Sequence, residues 1–194
     1  MLEVVPHKES WSDSFDVHRK VLREIFKETA LAISHIGSTA IADLVAKPII
    51  DIQVSVRTLD EVDQLASLPD GYTFISENTS DLSPIGYTTE VKEWEKRYVH
   101  VVREGKRQAQ IHIREAGRTN ERLALLFRDF VRQHPLHRAA YGQMKRQLVD
   151  AVGHLASETS SGPYVELKDP LISVILAAAE EWASATGWSV DHAR

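Results

Sequence analysis

The sequence predicts a mixed α/β or α+β layer, and three observations carry that expectation. Short β-rich runs with period-two alternation recur between residues 31 and 114. Amphipathic helical stripes lie before and after them. The regular strand–helix alternation of a doubly wound sheet is missing. The expected order is one helix, three or four strands with short helices between them, a hairpin, and a helical C-terminal third, with the helices packed on one side.

Residues 8 to 29 read as the first helix. Trp11, Phe15, His18, Leu22 and Ile25 recur at spacings of three and four, and Val21 and Phe26 widen the stripe. Residues 31 to 36 form a short apolar strand ending at Gly37. Thr39 to Val45 has room for two helical turns capped by Ser38 or Thr39, before Pro48 pushes Lys47 out of helical geometry. Residues 49 to 56 alternate: Ile50, Ile52, Val54 and Val56 point one way, and Asp51, Gln53 and Ser55 the other. Leu59 to Leu68 reads as a short helix ended by Pro69-Asp70-Gly71, and Tyr72 to Ser76 as a strand.

Residues 77 to 91 hold Asn78, Ser80, Ser83, Pro84 and Gly86. They read as a loop, the expected mobile segment, with a lid as one use. Residues 97 to 103 and 108 to 114 form a hairpin around Glu104-Gly105-Lys106, whose second arm sets Gln110, His112 and Arg114 on one face. Leu123, Leu126, Phe127, Phe130 and Val131 mark a helix running to His134-Pro135, with His134 and His137 at a solvated helix start. Leu136 to Leu155 is another helix. Residues 156 to 168 read as a Ser/Gly/Pro linker containing Tyr164 and Lys168. Asp169-Pro170 then opens the last helix as cap and first-turn proline, running to about Ala185.

Composition bounds the class. With 194 residues, 43% hydrophobic and 26% charged, the chain suits one soluble domain over residues 1–194. A net charge of -5 disfavours a nucleic-acid partner. Cysteine is absent, which excludes disulfides and thiolate metal sites and fits a cytoplasmic protein. No apolar run reaches the length of a membrane span, and residues 1 to 20 lack the apolar core of a signal peptide, so no membrane partner is expected. The oligomeric state stays open. No Walker motif, dinucleotide fingerprint or nucleophile elbow is present.

The chemistry centres on residues 33 to 54. A Gly37-Ser38 turn lets the backbone approach a phosphate closely, and its free amides and hydroxyl donate to it. Asp51 stands in an otherwise apolar strand, where an aspartate needs a partner or a metal. Residues 118 to 150 carry seven Lys/Arg against three acids, enough for a phosphate-facing basic helical layer despite the overall sign.

The run His-Ile-Gly-Ser-Thr-Ala-Ile at 35–41, with Ala-Lys-Pro-Ile-Ile-Asp-Ile at 46–52, resembles the GrpB family. Softer matches follow in Gln110-Ile-His-Ile, in Leu126 to Arg132, in Tyr141 to Lys145 and in Tyr164 to Asp169, so the likeness covers nearly the whole chain. A related domain is also fused to some dephospho-CoA kinases. The family in turn resembles the nucleotidyltransferase superfamily, best known from the DNA polymerase β fold. That resemblance implies an α+β fold, with a nucleotidyltransferase-like mixed β-sheet flanked by helices and a helical C-terminal third.

It also implies a Gly-Ser turn, two acids two apart on one strand and a third acid on a neighbouring strand, holding two Mg²⁺ ions. This sequence keeps Gly37, Ser38 and Asp51, with Gln53 at the second acid and His112 at the third. Asp51 is then the metal ligand, for Mg²⁺ or Mn²⁺. Asp51, Gln53 and His112 form the catalytic set. Gly37, Ser38, Lys47, Arg97, Arg128, Lys145 and Lys168 are the candidate nucleotide- or phosphate-binding residues. The expected ligand is a nucleotide or another phosphorylated small molecule. The resemblance implies nucleotidyl transfer to an unknown acceptor; the loss of carboxylates points instead to a non-catalytic binding module on a transferase-like scaffold.

Overall fold

A computed structural model describes residues 2–65, 67–156 and 163–192. Its centre is a five-stranded mixed sheet. Strand β1 (Ala30–Ile36) pairs antiparallel with β2 (Ile50–Val56), and β2 runs parallel to β5 (Lys106–Glu115). Strand β5 pairs antiparallel with β4 (Arg97–Arg103), and β4 with the short β3 (Tyr72–Phe74), giving the order β1-β2-β5-β4-β3. The β4–β5 hairpin closes at Arg103↔Lys106 through Glu104 (φ 50°) and Gly105 (φ 71°). Two successive positive φ values make the two-residue turn whose twist matches that of the flanking strands.

The sheet has unlike faces because each strand alternates. The apolar face presents Ile50, Ile52, Val54, Val56, Val99, Val101, Ile111 and Ile113, all buried. Helix α1 (Ser10–Phe26) covers it with Trp11, Phe15, Leu22 and Phe26, and Leu59 and Val62 of the short α2 (Leu59–Asp63) pack beside them. The other face carries Asp51, Gln53, Ser55, Gln110, His112, Arg114, Tyr98 and His100, in register across three strands. Helices α3 (Thr119–Gln133), α4 (Pro135–Val152) and α5 (Tyr164–Thr186) build a second core around Leu126, Phe130, Tyr141 and Leu176. The start of α3 reaches the polar face, where Ser55 Oγ donates to Glu121 Oε1 at 2.7 Å. Helices therefore flank the sheet on both sides, not on the single side expected.

Four local expectations need correction. Residues 39–45 do not make two helical turns. A single 3-10 turn spans Ser38–Ala40, after which Ile41 is extended and Asp43 takes φ 63°. Ile41 and Leu44 are fully buried, so packing against the helical layer overrides the local helical option. Helix α2 ends at Asp63, well short of Leu68. The last helix begins at Tyr164 and not at Asp169, which puts Lys168 on a helix and Pro170 inside it. Tyr164 is buried and adds a turn before the proline. Residues 157–162 of the expected linker lie outside the described residues. Lastly, His134 is not simply solvated: it stacks on Phe130 with ring centroids 3.9 Å apart, and its Nδ1 donates to the Phe130 carbonyl at 2.6 Å.

The segment at 77–91 is tied down. Its backbone bonds to Trp94 and Lys96, Trp94 Nε1 donates to the Thr88 carbonyl at 2.8 Å, and the Ile85 amide donates to Ser173 Oγ at 3.1 Å. Among the described residues, no helix is long and apolar enough to cross a membrane.

Candidate functional site

The polar face of the sheet, the 75–94 segment and the inner faces of α3, α4 and α5 enclose a cleft of about 940 Å³. Gly37, Ser38, Lys47, Asp51, His112, Lys145 and Lys168 all line it. The fold thus gathers residues separated by more than a hundred positions in sequence.

Gly37 ends β1 with φ 64°, and a Cβ placed there would fall on the Asp51 carboxylate. Only glycine permits that approach. Ser38 follows as the first residue of the 3-10 turn, and Lys145 Nζ donates to its Oγ at 2.7 Å. Beside it, His35 Nε2 and Thr39 Oγ1 lie 2.9 Å apart, and the His35 ring stacks on Phe15.

Asp51 is the carboxylate of this floor. Burial pushes its pKa up to about 6, against the pull of Lys168, Lys145 and Lys47. The lysines respond in kind. Burial and the neighbouring Lys168 charge bring Lys145 down to about 7 and Lys47 to about 8. Lys47 also places its ammonium 4.9 Å from the centre of the Tyr164 ring.

Gln53 and His112 are held elsewhere. Gln53 is fully buried; its Oε1 accepts from Arg114 Nη1 at 2.6 Å and its Nε2 donates to the Glu121 carbonyl at 3.2 Å. Burial, then Arg114 and Lys96, keep His112 well below its usual pKa, so it is neutral and its Nδ1 accepts from Arg114 Nη2 at 3.2 Å. Arg114 Nε also donates to Asp81 Oδ2 at 2.8 Å, while Lys96 Nζ pairs with Asp81 Oδ1 at 2.7 Å. Burial alone would raise the Asp81 carboxyl; these two cations hold it far below its usual range. The second and third acid positions therefore flank a clamped guanidinium.

The donor set does not fit a protein-held pair of Mg²⁺ ions. Among the described residues no three His, Cys, Asp or Glu side chains group as metal ligands. Asp51 offers one carboxylate, Gln53 has its oxygen on an arginine, and the nearest charges are cationic. Octahedral Mg²⁺ needs hard oxygen ligands with little competing positive charge.

Two candidates lie away from the cleft lining. Arg97 alternates to the apolar side of β4 and grips Asp63 of α2 in two-point geometry at 2.7 and 2.6 Å. Arg128, on α3, pairs with Asp129 at 2.7 Å and donates to the His35 carbonyl at 3.1 Å, bracing β1 from behind. Tyr98, His100, Arg107 and Tyr141 also line the cleft, beyond the residues expected from the sequence. The alternation of β4 was the available signal for Tyr98 and His100. Nothing local marked Tyr141, a buried helical tyrosine beside Ser38.

The model of the family described as GrpB protein matches residues 1–178. The chain belongs to the GrpB family. The crystal structure of conserved protein GrpB from Enterococcus faecalis superposes with a TM-score of 0.71 at 30% identity, covering 93% of this chain and 99% of that one. UPF0157 protein YqkA of Bacillus subtilis is 33% identical over 183 residues, 93% of this chain but 48% of that protein. A Mycobacterium tuberculosis protein named dephospho-CoA kinase is 35% identical over 199 residues, 95% of this chain and 47% of that protein. The chain thus spans about half the length of these two relatives. The GrpB likeness supports the mixed α+β fold with a helical C-terminal region.

Proposed function

We propose that the cleft binds a nucleotide or another phosphorylated small molecule, with phosphate seated by cationic side chains and not by a protein-held metal. One observation carries this: Lys47, Lys145 and Lys168 converge on the Asp51 carboxylate beside the Gly37-Ser38 turn. Arg107 adds a further cation to the lining. Against these four cations the lining sets Asp51, Glu166 and Asp169, which leaves a small excess of positive charge at a turn where the backbone approaches closely. The apolar wall of Leu123, Phe127, Ile172 and Leu176 offers room for the uncharged part of such a ligand.

The test is calorimetric titration with pyrophosphate, ADP and ATP in the presence of EDTA. Binding is expected, and Lys168→Ala should weaken it about tenfold, as for one lost charge-assisted contact. No binding at millimolar ligand would remove this reading.

A second reading, metal-dependent nucleotidyl transfer, is favoured by the Gly37 backbone lying against Asp51 next to Ser38. This is the part of the transferase pattern that the resemblance leads one to expect. Release of pyrophosphate from labelled nucleoside triphosphates with Mg²⁺ or Mn²⁺ would support it. Absence of release across a broad acceptor panel would count against it. Any Mg²⁺ would then arrive largely coordinated by the triphosphate itself.

A further inference from the structure

We propose that Ser38 is a nucleophile and Lys145 its general base, a serine–lysine pair that cleaves esters of small anionic molecules. The inference rests on the anion-binding reading only for which esters enter the cleft. The nucleophile itself rests on geometry.

Ser38 follows a positive-φ glycine at the end of a strand and opens a tight turn on the cleft wall. Its Oγ is 2.7 Å from Lys145 Nζ, and it is half-buried, whereas Lys145 is only 3% exposed behind it. The reacting group therefore faces the cleft and the base is shielded. Tyr141, itself 3% exposed, lies beside the same hydroxyl. The other serine and threonine hydroxyls of the cleft lining are committed to structure. Thr39 bonds His35, Ser80 donates to the Asp81 and Trp94 carbonyls, and Ser83 donates to the Thr88 and Pro84 carbonyls.

Lys145 faces Asp51 from β2, Lys47 from the segment before β2, Lys168 from α5 and Arg146 on its own helix. Burial and the like charges lower its pKa from the ordinary lysine value. A lysine desolvated beside other cations is a recognised route to a neutral, basic amine.

The steps balance with water as the only co-reactant. The Ser38 oxygen adds to the ester carbonyl and its proton passes to Lys145 Nζ. Collapse breaks the bond to the leaving alcohol, which takes that proton from Lys145. Water then adds to the acyl-serine, giving a proton to Lys145, and Ser38 recovers it as the acid departs. Lys47 and Lys168 would seat the anionic end of the ester.

The experiment is labelling of the full chain with a fluorophosphonate probe, read by intact mass and peptide mapping. It is paired with hydrolysis of p-nitrophenyl acetate and p-nitrophenyl succinate. One adduct on Ser38 is expected in the wild type, absent in Ser38→Ala. Lys145→Met should slow labelling by about 100-fold or more, the usual range for a general base, with circular dichroism confirming that the variant is folded. The succinate ester should be cleaved faster than the acetate. No adduct in the wild type, or one mapped to another residue, overturns the proposal whether or not the variants fold. Wild-type labelling rates in folded Lys145→Met remove the base, and equal ester rates remove the anionic class. Stabilisation by nucleotide without labelling overturns this proposal and leaves the anion-binding reading standing.

Discussion

Two residues at the floor of the cleft set its chemistry, Gly37 by having no side chain and Asp51 by being charged where water is scarce. Their closeness is directly testable. Gly37→Ala would need a positive φ that alanine disfavours and would set its Cβ on the Asp51 carboxylate. A loss of about 1–3 kcal/mol in urea denaturation is expected; wild-type stability would show that the contact is loose. Histidine gives a second test. Burial, then Arg132, brings His35 down from its ordinary 6.5 to about 4. Its contribution is therefore fully present above pH 6.5 and is lost as the pH falls through 4. His18 and His112 are lowered in the same direction. Asp51 opposes them: with its pKa raised to about 6, its contribution is present below its ordinary value and is lost as pH rises through 6. Stability should fall from pH 7 to pH 4, with a shallower slope in His35→Gln. Parallel slopes would contradict the assignment.

At the level of elements, period-two alternation was the most legible feature of the sequence. It placed Asp51 and Gln53 together on β2, and Gln110, His112 and Arg114 together on β5. It could not show that Arg114 reaches Gln53, because those residues are 61 apart and meet only through the parallel β2–β5 register. A glutamine assigned to the catalytic set by its place at the second acid position therefore has its oxygen on a guanidinium. Helix ends were legible where local chemistry decides them, as at Pro135, which opens α4. They were illegible where a buried side chain decides them. Tyr164 starts α5 six residues ahead of Pro170, so the proline sits inside the helix and leaves the Glu166 carbonyl without its usual amide. Pro170 is exposed, so Pro170→Ala restores that bond with little packing change. A gain of about 1–3 kcal/mol is expected, read as a higher urea midpoint. A fall would mean that the proline is needed to hold Lys168 and Asp169 at the cleft.

For the whole molecule, the sheet divides the labour. Its apolar face and α1 supply a core, and its polar face, roofed by the C-terminal helices, is free to carry charge. The GrpB family match fits that architecture, while the chemistry depends on the charges gathered in the cleft. The cations came from Lys47 before β2, Lys145 on α4 and Lys168 on α5. All three are candidate phosphate-binding residues in the sequence, but only the fold makes them neighbours of Asp51. Arg114 and Lys96 also line the cleft but are clamped to Asp81.

The most direct measurement of the central claim is a pair of calorimetric titrations of ATP into the wild-type protein, one in EDTA and one in excess Mg²⁺. A cleft that holds phosphate by lysine should bind in EDTA, gain nothing from Mg²⁺, and weaken about tenfold in Lys168→Ala. Binding that is absent in EDTA and appears only with Mg²⁺ would contradict it and return Asp51 to the role of metal ligand.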